Sequence, residues 1–175
     1  MIIYPALDLR GGAVVRLREG DPAQQTTFFN DPVDAARSWI DQGACWLHMV
    51  NLDGAFAEAN KNLRILEEVC RLGVPVQFGG GLRTPAQMQR AIACGASRII
   101  LGTVAIRSPE LVAGALQQFG SEAVAVALDA RDGYVTTHGW QQATQTTPSQ
   151  LGKAMAQRGV PVSYTHLTLP TKRIV

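Results

Sequence analysis

Charge is scarce in this sequence. Asp, Glu, Lys and Arg make up 17% of its 175 residues, and the net charge is +2. No run of basic residues breaks that balance, so a general polyanion or nucleic-acid binder is excluded. Cysteine is scarce too. Cys45, Cys70 and Cys94 are scattered without a CxxC spacing. An odd, scattered set argues against a disulfide frame or a zinc site and for reduced thiols packed in a core. Long apolar runs are also missing. "MIIYPALDL" at the start is too short, and too soon interrupted, for a signal peptide or a membrane span. What is present is apolar content: 46% of residues are hydrophobic, enough for a packed core and too much for global disorder. The expectation is one soluble, cytoplasmic globule without nucleic-acid or membrane partners.

Five apolar runs recur: "MIIYPALDL", "CWLHMVNLDG", "VPVQFGG", "SRIILGT" and "AVAVALDA". None alternates cleanly between polar and apolar, which suits parallel strands buried on both faces. Helical patterns lie between them. Asp31-Pro32, Thr84-Pro85, Ser108-Pro109 and Thr147-Pro148 each offer an N-cap followed by proline at the first helical position. Gly43, Gly73, Gly95, Gly120 and Gly159 stand where helices should stop. In the fourth helix Leu111, Val112, Ala115, Leu116 and Phe119 keep one apolar face. The recurring unit is βα, so the fold class is α/β: a doubly wound sheet or part of a (β/α)₈ barrel. "DGYVTTHGWQQ" departs from the pattern and predicts a hairpin turning at Asp132-Gly133.

In either architecture the active face lies at the carboxyl ends of the strands. Acids and glycines crowd that end here. Glycines let a ligand approach backbone N–H groups, and a following helix N-terminus favours an anion. "GGGLRT" (Gly79–Thr84) and "LGTVA" (Leu101–Ala105) therefore form two candidate phosphate cradles, with tight strand-to-helix turns as the plainer account. Arg83 can add a bidentate contact to phosphate or carboxylate. Asp8 and Asp129 each close an apolar run. Two carboxyls in a partly dry pocket can divide the roles of acid and base, although each is also explicable as a capping or salt-bridged aspartate. Asp53 and His48 are weaker candidates: Asp53-Gly54 reads as a turn and His48 as a core histidine. Trp140, on the hairpin, suits either surface packing or stacking on a heteroaromatic ring.

With these residues placed, the chain resembles the phosphoribosylformimino-aminoimidazole carboxamide ribotide isomerases of histidine biosynthesis. The matching pieces are "PALDLRGGAVVRLREGD", "LHMVNLDGA", "VPVQFGGGLRT", "RIILGTVAI", "AVALDARDG" and "HGW", in the family's order. The cyclase subunit of the same pathway is similar in its half-barrel plan. "VVRLREGD", the arginine after the triple glycine and "GW" favour the isomerase. The resemblance implies a (β/α)₈ barrel and an Amadori rearrangement of an aminoaldose ribosyl phosphate to an aminoketose. It implies Asp8 as the base and Asp129 as the general acid. It places one substrate phosphate at Gly80, Gly81, Gly102 and Thr103. Arg16, Arg83 and Trp140 would orient the substrate, with Trp140 stacked on the imidazole. No metal or organic cofactor is implied.

A (β/α)₈ barrel typically needs about 250 residues. The family pattern is expected over residues 1–160, as about five βα units of an incomplete barrel. In residues 161–175, "PVSYTHLTLPTKRIV", the alternating Thr-Leu pattern suits a half-exposed strand and looks foreign to the family. On that reading strands one and five keep open edges. The chain alone would then self-associate and turn over little substrate, whereas the full-length family member would be monomeric. The alternative function is a phosphate-binding half-barrel without catalysis.

Overall fold

The computed structural model describes residues 2–18, 20–58, 61–137, 139 and 142–164. The chain opens with β1 (Ala6–Arg10) and then a hairpin, β2 (Ala13–Arg18) and β3 (Asp21–Phe29). It continues through α1 (Pro32–Asp41), β4 (Leu47–Asn51), the single turn α2 (Leu52–Ala55) and α3 (Asn62–Cys70). Next come β5 (Val76–Gly79), α4 (Pro85–Ala93), β6 (Arg98–Leu101), α5 (Thr103–Arg107) and α6 (Pro109–Phe119). After β7 (Val124–Ala127) a small antiparallel sheet intervenes: β8 (Ala130–Arg131), β9 (Tyr134–Thr137) and β10 (Gln142–Ala143). Last are α7 (Pro148–Gln157) and β11 (Val162–Tyr164).

The main sheet runs in the order β11-β7-β6-β5-β4-β1-β2-β3. From β1 to β11 every pairing is parallel, and each new parallel strand lies beside its predecessor. The order never reverses, so every crossover packs on the same face of the sheet. A doubly wound sheet would reverse and place helices on both faces. The open choice in the sequence therefore resolves to the singly wound plan of a (β/α)₈ barrel, built partway round.

The core follows from this winding. Leu7, Leu9, Leu47, Met49, Val76, Phe78, Ile99, Leu101, Val124 and Val126 point to the helix side. They meet Ala35 and Ala36 of α1, Leu66 and Val69 of α3, Met88 and Ala91 of α4, Val112 and Ala115 of α6, and Leu151 and Met155 of α7. The alternate residues face the other way, where Ile100, Ala125 and Ala127 form a separate small cluster. Both faces are buried, which is why the strands read as continuous apolar runs.

Helix boundaries follow the sequence signals closely. Asp31 Oδ1 accepts from the Val33 N–H at 2.8 Å. Thr84 with Gln87, and Thr147 with Gln150, form complete capping boxes, each worth about 1 kcal/mol. Ser108 departs from expectation: its side chain makes no cap, and it serves as the joint between α5 and α6. The predicted hairpin turn is present, with left-handed backbone at Asp132 and Gly133, as a two-residue primed turn requires.

Two elements were not foreseen, and a third, expected as a half-exposed strand, pairs where a barrel strand would. The β2–β3 hairpin extends the sheet beyond β1. The "NLDGA" segment winds into α2 rather than a simple turn. Val162–Tyr164, inside the segment expected to be foreign, pairs in parallel with β7, so six parallel strands stand among the described residues. The expectation of open edges is thereby corrected for strand five, and for strand one at its carboxyl end. β2 covers the carboxyl end of β1 through Leu9↔Val14 and Arg10↔Ala13, and β11 covers β7. The chain beyond Tyr164 lies outside the described residues. No described helix is long and apolar enough to cross a membrane.

Two outcomes test this packing. Phe78→Ala empties a fully buried site and should cost about 3–5 kcal/mol in urea unfolding; Phe28→Ala, at a side chain 63% exposed, should change stability by less than about 0.5 kcal/mol. Desolvation, with a contribution from neighbouring Cys94, pushes the Cys70 thiol up from 9.0 to about 11. The unfolded chain then releases this proton first as pH rises, so Cys70 lowers stability between about pH 9 and 11. At pH 8 a thiol reagent should label exposed Cys45 well before Cys70.

Candidate active site

Alternation along the strands decides which side chains share a face. Leu7 and Leu9 on β1, and Val124, Val126 and Leu128 on β7 and just beyond, belong to the helix-side core. Asp8 has the opposite parity, as do Ala125, Ala127 and Asp129. Asp8, within strand one, and Asp129, just beyond strand five of the parallel series, thus share the face away from the helices. Both are half-buried.

Register relates their heights. Asp8 lies level with Val50, Val50 with Gly79, Gly79 with Ile100, and Ile100 with Ala125. Asp129 is four residues beyond Ala125 toward the carboxyl end. A barrel of eight strands and shear eight slips one residue per strand, or about four across half its circumference. The offset between Ala125 and Asp129 equals that slip, so a barrel of that shear would bring the two acids to one height. Backbone bonds hold Asp129 there: its carbonyl accepts from the Thr136 N–H at 2.7 Å and from Thr136 Oγ1 at 3.2 Å. The hairpin therefore clamps the end of the fifth strand.

The triple glycine has a steric cause. Gly80 and Gly81 take φ of 98° and 80°, values that side chains rarely adopt. A Cβ on Gly80 would collide with the Asn51 carbonyl, and one on Gly81 would lie 2.6 Å from the Gly54 carbonyl carbon. The end of β5 is thus pressed backbone-to-backbone against α2. Gly102 differs: a Cβ there would meet only Ala127 Cβ, at 3.7 Å. Thr103 opens α5 and is half-buried. Arg83 donates from Nη2 to the Ala55 carbonyl at 2.8 Å, committing one of its five N–H donors to α2. Arg16 is exposed on β2, paired with Thr26 of β3. Trp140 lies outside the described residues; its neighbour Gly139 sits close enough to Phe56 that a Cβ would approach the ring to 2.8 Å.

His48, read as a core histidine, is buried, with Nδ1 3.1 Å from Gln77 Nε2. Asp53, expected in a simple turn, lies in the first turn of α2. It is buried, accepts from the Gly11 N–H with both oxygens at 3.2 and 3.1 Å, and accepts from Asn62 Nδ2 at 2.8 Å. Asn51 Oδ1 joins the network, accepting from Asn62 Nδ2 at 2.7 Å and from the Gly54 N–H at 3.0 Å. One available signal was Asn62, a polar residue at the start of an amphipathic helix that needs a buried partner.

Residues 2–165 match the family described as Histidine biosynthesis protein. Among curated relatives, the 1-(5-phosphoribosyl)-5-((5-phosphoribosylamino)methylideneamino) imidazole-4-carboxamide isomerase of Moorella thermoacetica is 45% identical over 161 residues, covering 91% of this chain and 66% of that protein. The isomerase of the same name from Deinococcus radiodurans is 42% identical over 158 residues, covering 90% of this chain and 66% of its own length. That from Thermomicrobium roseum is 46% identical over 143 residues, covering 81% and 59%. The chain thus spans about two thirds of the length of these relatives.

The glycines are separable by substitution. Gly80→Ala should lower stability by about 3 kcal/mol or more, through the left-handed backbone and the collision with Asn51. Gly102→Ala should cost less than about 1 kcal/mol. Paired denaturant titrations check the contrast.

Proposed function

Since the chain belongs to the histidine biosynthesis protein family, we propose that it carries the aldose–ketose isomerase chemistry named for its relatives, acting on a bisphosphorylated imidazole carboxamide ribotide. What supports this most strongly is that Asp8 and Asp129 share one parity, away from the helix-side core, and differ in register by the slip that half a barrel of shear eight would take up.

The reaction needs an acid and a base on opposite sides of one sugar. Asp129, protonated, gives its proton to the ribose ring oxygen while the amine lone pair opens the ring to a Schiff base. Asp8, ionised, then takes the C2′ proton, and the electron pair moves into a C1′–C2′ double bond to give an enaminol. Return of a proton to C1′ and loss of the C2′ hydroxyl proton complete the aminoketose. Protons taken and returned balance, and no electrons leave the substrate.

One substrate phosphate is assigned to the rim at Gly102 and Thr103, beside Gly80 and Gly81, where backbone N–H groups suit an anion. Arg83, anchored to α2, is assigned to contact the substrate with its remaining donors. Arg16 and Trp140 are assigned to orient the ribotide, with Trp140 stacked on the imidazole.

Turnover of the aminoaldose ribotide, followed by the absorbance of the purified protein's reaction mixture, tests the reading. Asp8→Asn and Asp129→Asn should each lower kcat by roughly 10²- to 10⁴-fold while leaving thermal stabilisation by inorganic phosphate intact. Stabilisation by phosphate without any turnover in the unmutated chain would overturn the isomerase and leave a phosphate-binding barrel fragment. Complementation of a histidine auxotroph gives the same decision in cells.

A further inference from the structure

Three loops of the candidate active face meet at one short segment, residues 51–58. The end of β5 packs on Asn51 and Gly54, and Arg83 bonds to Ala55. Gly139 of the β9–β10 hairpin lies against the Phe56 ring, and the Arg10 guanidinium stacks on that ring at 5.6 Å. Arg10 also pairs with Glu58 at 3.7 Å. The deepest link is Asp53, whose carboxylate takes the Gly11 N–H between its two oxygens.

The β1–β2 turn needs such a link. Gly11 and Gly12 have φ of 60° and 83°, and a Cβ on either would meet nothing within 4 Å. The Arg10↔Ala13 pair closes this turn on itself, but nothing packs on its two glycines, so its position relative to α2 is left to the bond from Gly11 to Asp53. A charged acceptor in a buried site forms a strong bond to a backbone N–H. Burying that charge is costly unless its bonds are made, and here Asn62 and Gly11 make them. Gly11 follows Asp8 by three residues, so whatever fixes the turn fixes the end of the strand bearing the proposed base.

We propose that Asp53 is a positioning residue for the isomerisation: it holds the Gly11-Gly12 turn on the α2 segment, and through that turn keeps Asp8 aimed at the substrate. This rests on the isomerase reading above. Asn62 supplies the comparison, because it supports the same network without touching Gly11.

The test compares Asp53→Ala with Asn62→Ala in the full chain. Asp53→Ala should lower kcat roughly 10- to 100-fold, the scale of a base displaced by about an ångström, with KM little changed. It should also accelerate hydrogen exchange at the Gly11 amide. Asn62→Ala should lower the melting temperature as well, but lower kcat and speed Gly11 exchange far less than Asp53→Ala does. Equal loss of kcat in both variants, in step with their melting temperatures, would reduce Asp53 to a structural role and overturn the proposal, as would slow Gly11 exchange in Asp53→Ala. If the unmutated chain shows no turnover, the isomerase reading fails, and Gly11 exchange still decides whether Asp53 holds the turn.

Discussion

The end of β5 and the α2 turn touch through bare backbone, and the active face is arranged around that contact. Gly80 rests on the Asn51 carbonyl and Gly81 on Gly54. No side chain fits between them, so the βα loops of strands two and three in the parallel series form one body. Asn51, Asp53 and Asn62 lock that body from within. Asp53 then carries the lock to the loop after strand one, Arg83 to the loop after strand three, and Phe56 to the hairpin after strand five. A rim made of flexible loops gains rigidity because its members share one anchor.

Below the rim, the parallel ladder sets the register of each candidate functional group. Hydrogen-bond register couples Asp8 to Ala125 through three intermediate strands. The helix layer fixes which face each side chain takes, since exchanging faces would drive Leu7, Leu9 or Val126 out of the core. Two carboxyls far apart in sequence are thus aligned by apolar packing on the opposite side of the sheet.

Much of this was legible in the chain. Continuous apolar runs marked buried parallel strands. The Thr-Pro pairs at Thr84 and Thr147 marked helix starts, and Asp132-Gly133 marked a hairpin turn. These signals are local: each depends on a residue's own φ range or on a hydrogen bond within one helical turn. The β2–β3 hairpin was illegible because its outer strand is mostly exposed, and exposed strands carry little hydrophobic pattern. α2 was hidden because four residues show no periodicity. The strand at Val162–Tyr164 was discounted because its neighbours in sequence alternate, yet its place beside β7 is decided by the unpaired edge awaiting it.

By itself, the sequence determined the βα repeat, the helix caps, the clustering of Asp8, Asp129 and the glycines at strand ends, and the family likeness these carry. All of these follow from residue type and spacing along the chain. Only the tertiary structure decided between barrel winding and double winding, because that depends on which strand each crossover reaches. It also gave the triple glycine, a candidate anion cradle, a steric reason of its own: the close contact that binds β5 to α2. Likewise it raised Asp53 from a turn residue to the buried link between loops, since its partners Gly11 and Asn62 are distant in sequence and no local pattern records them.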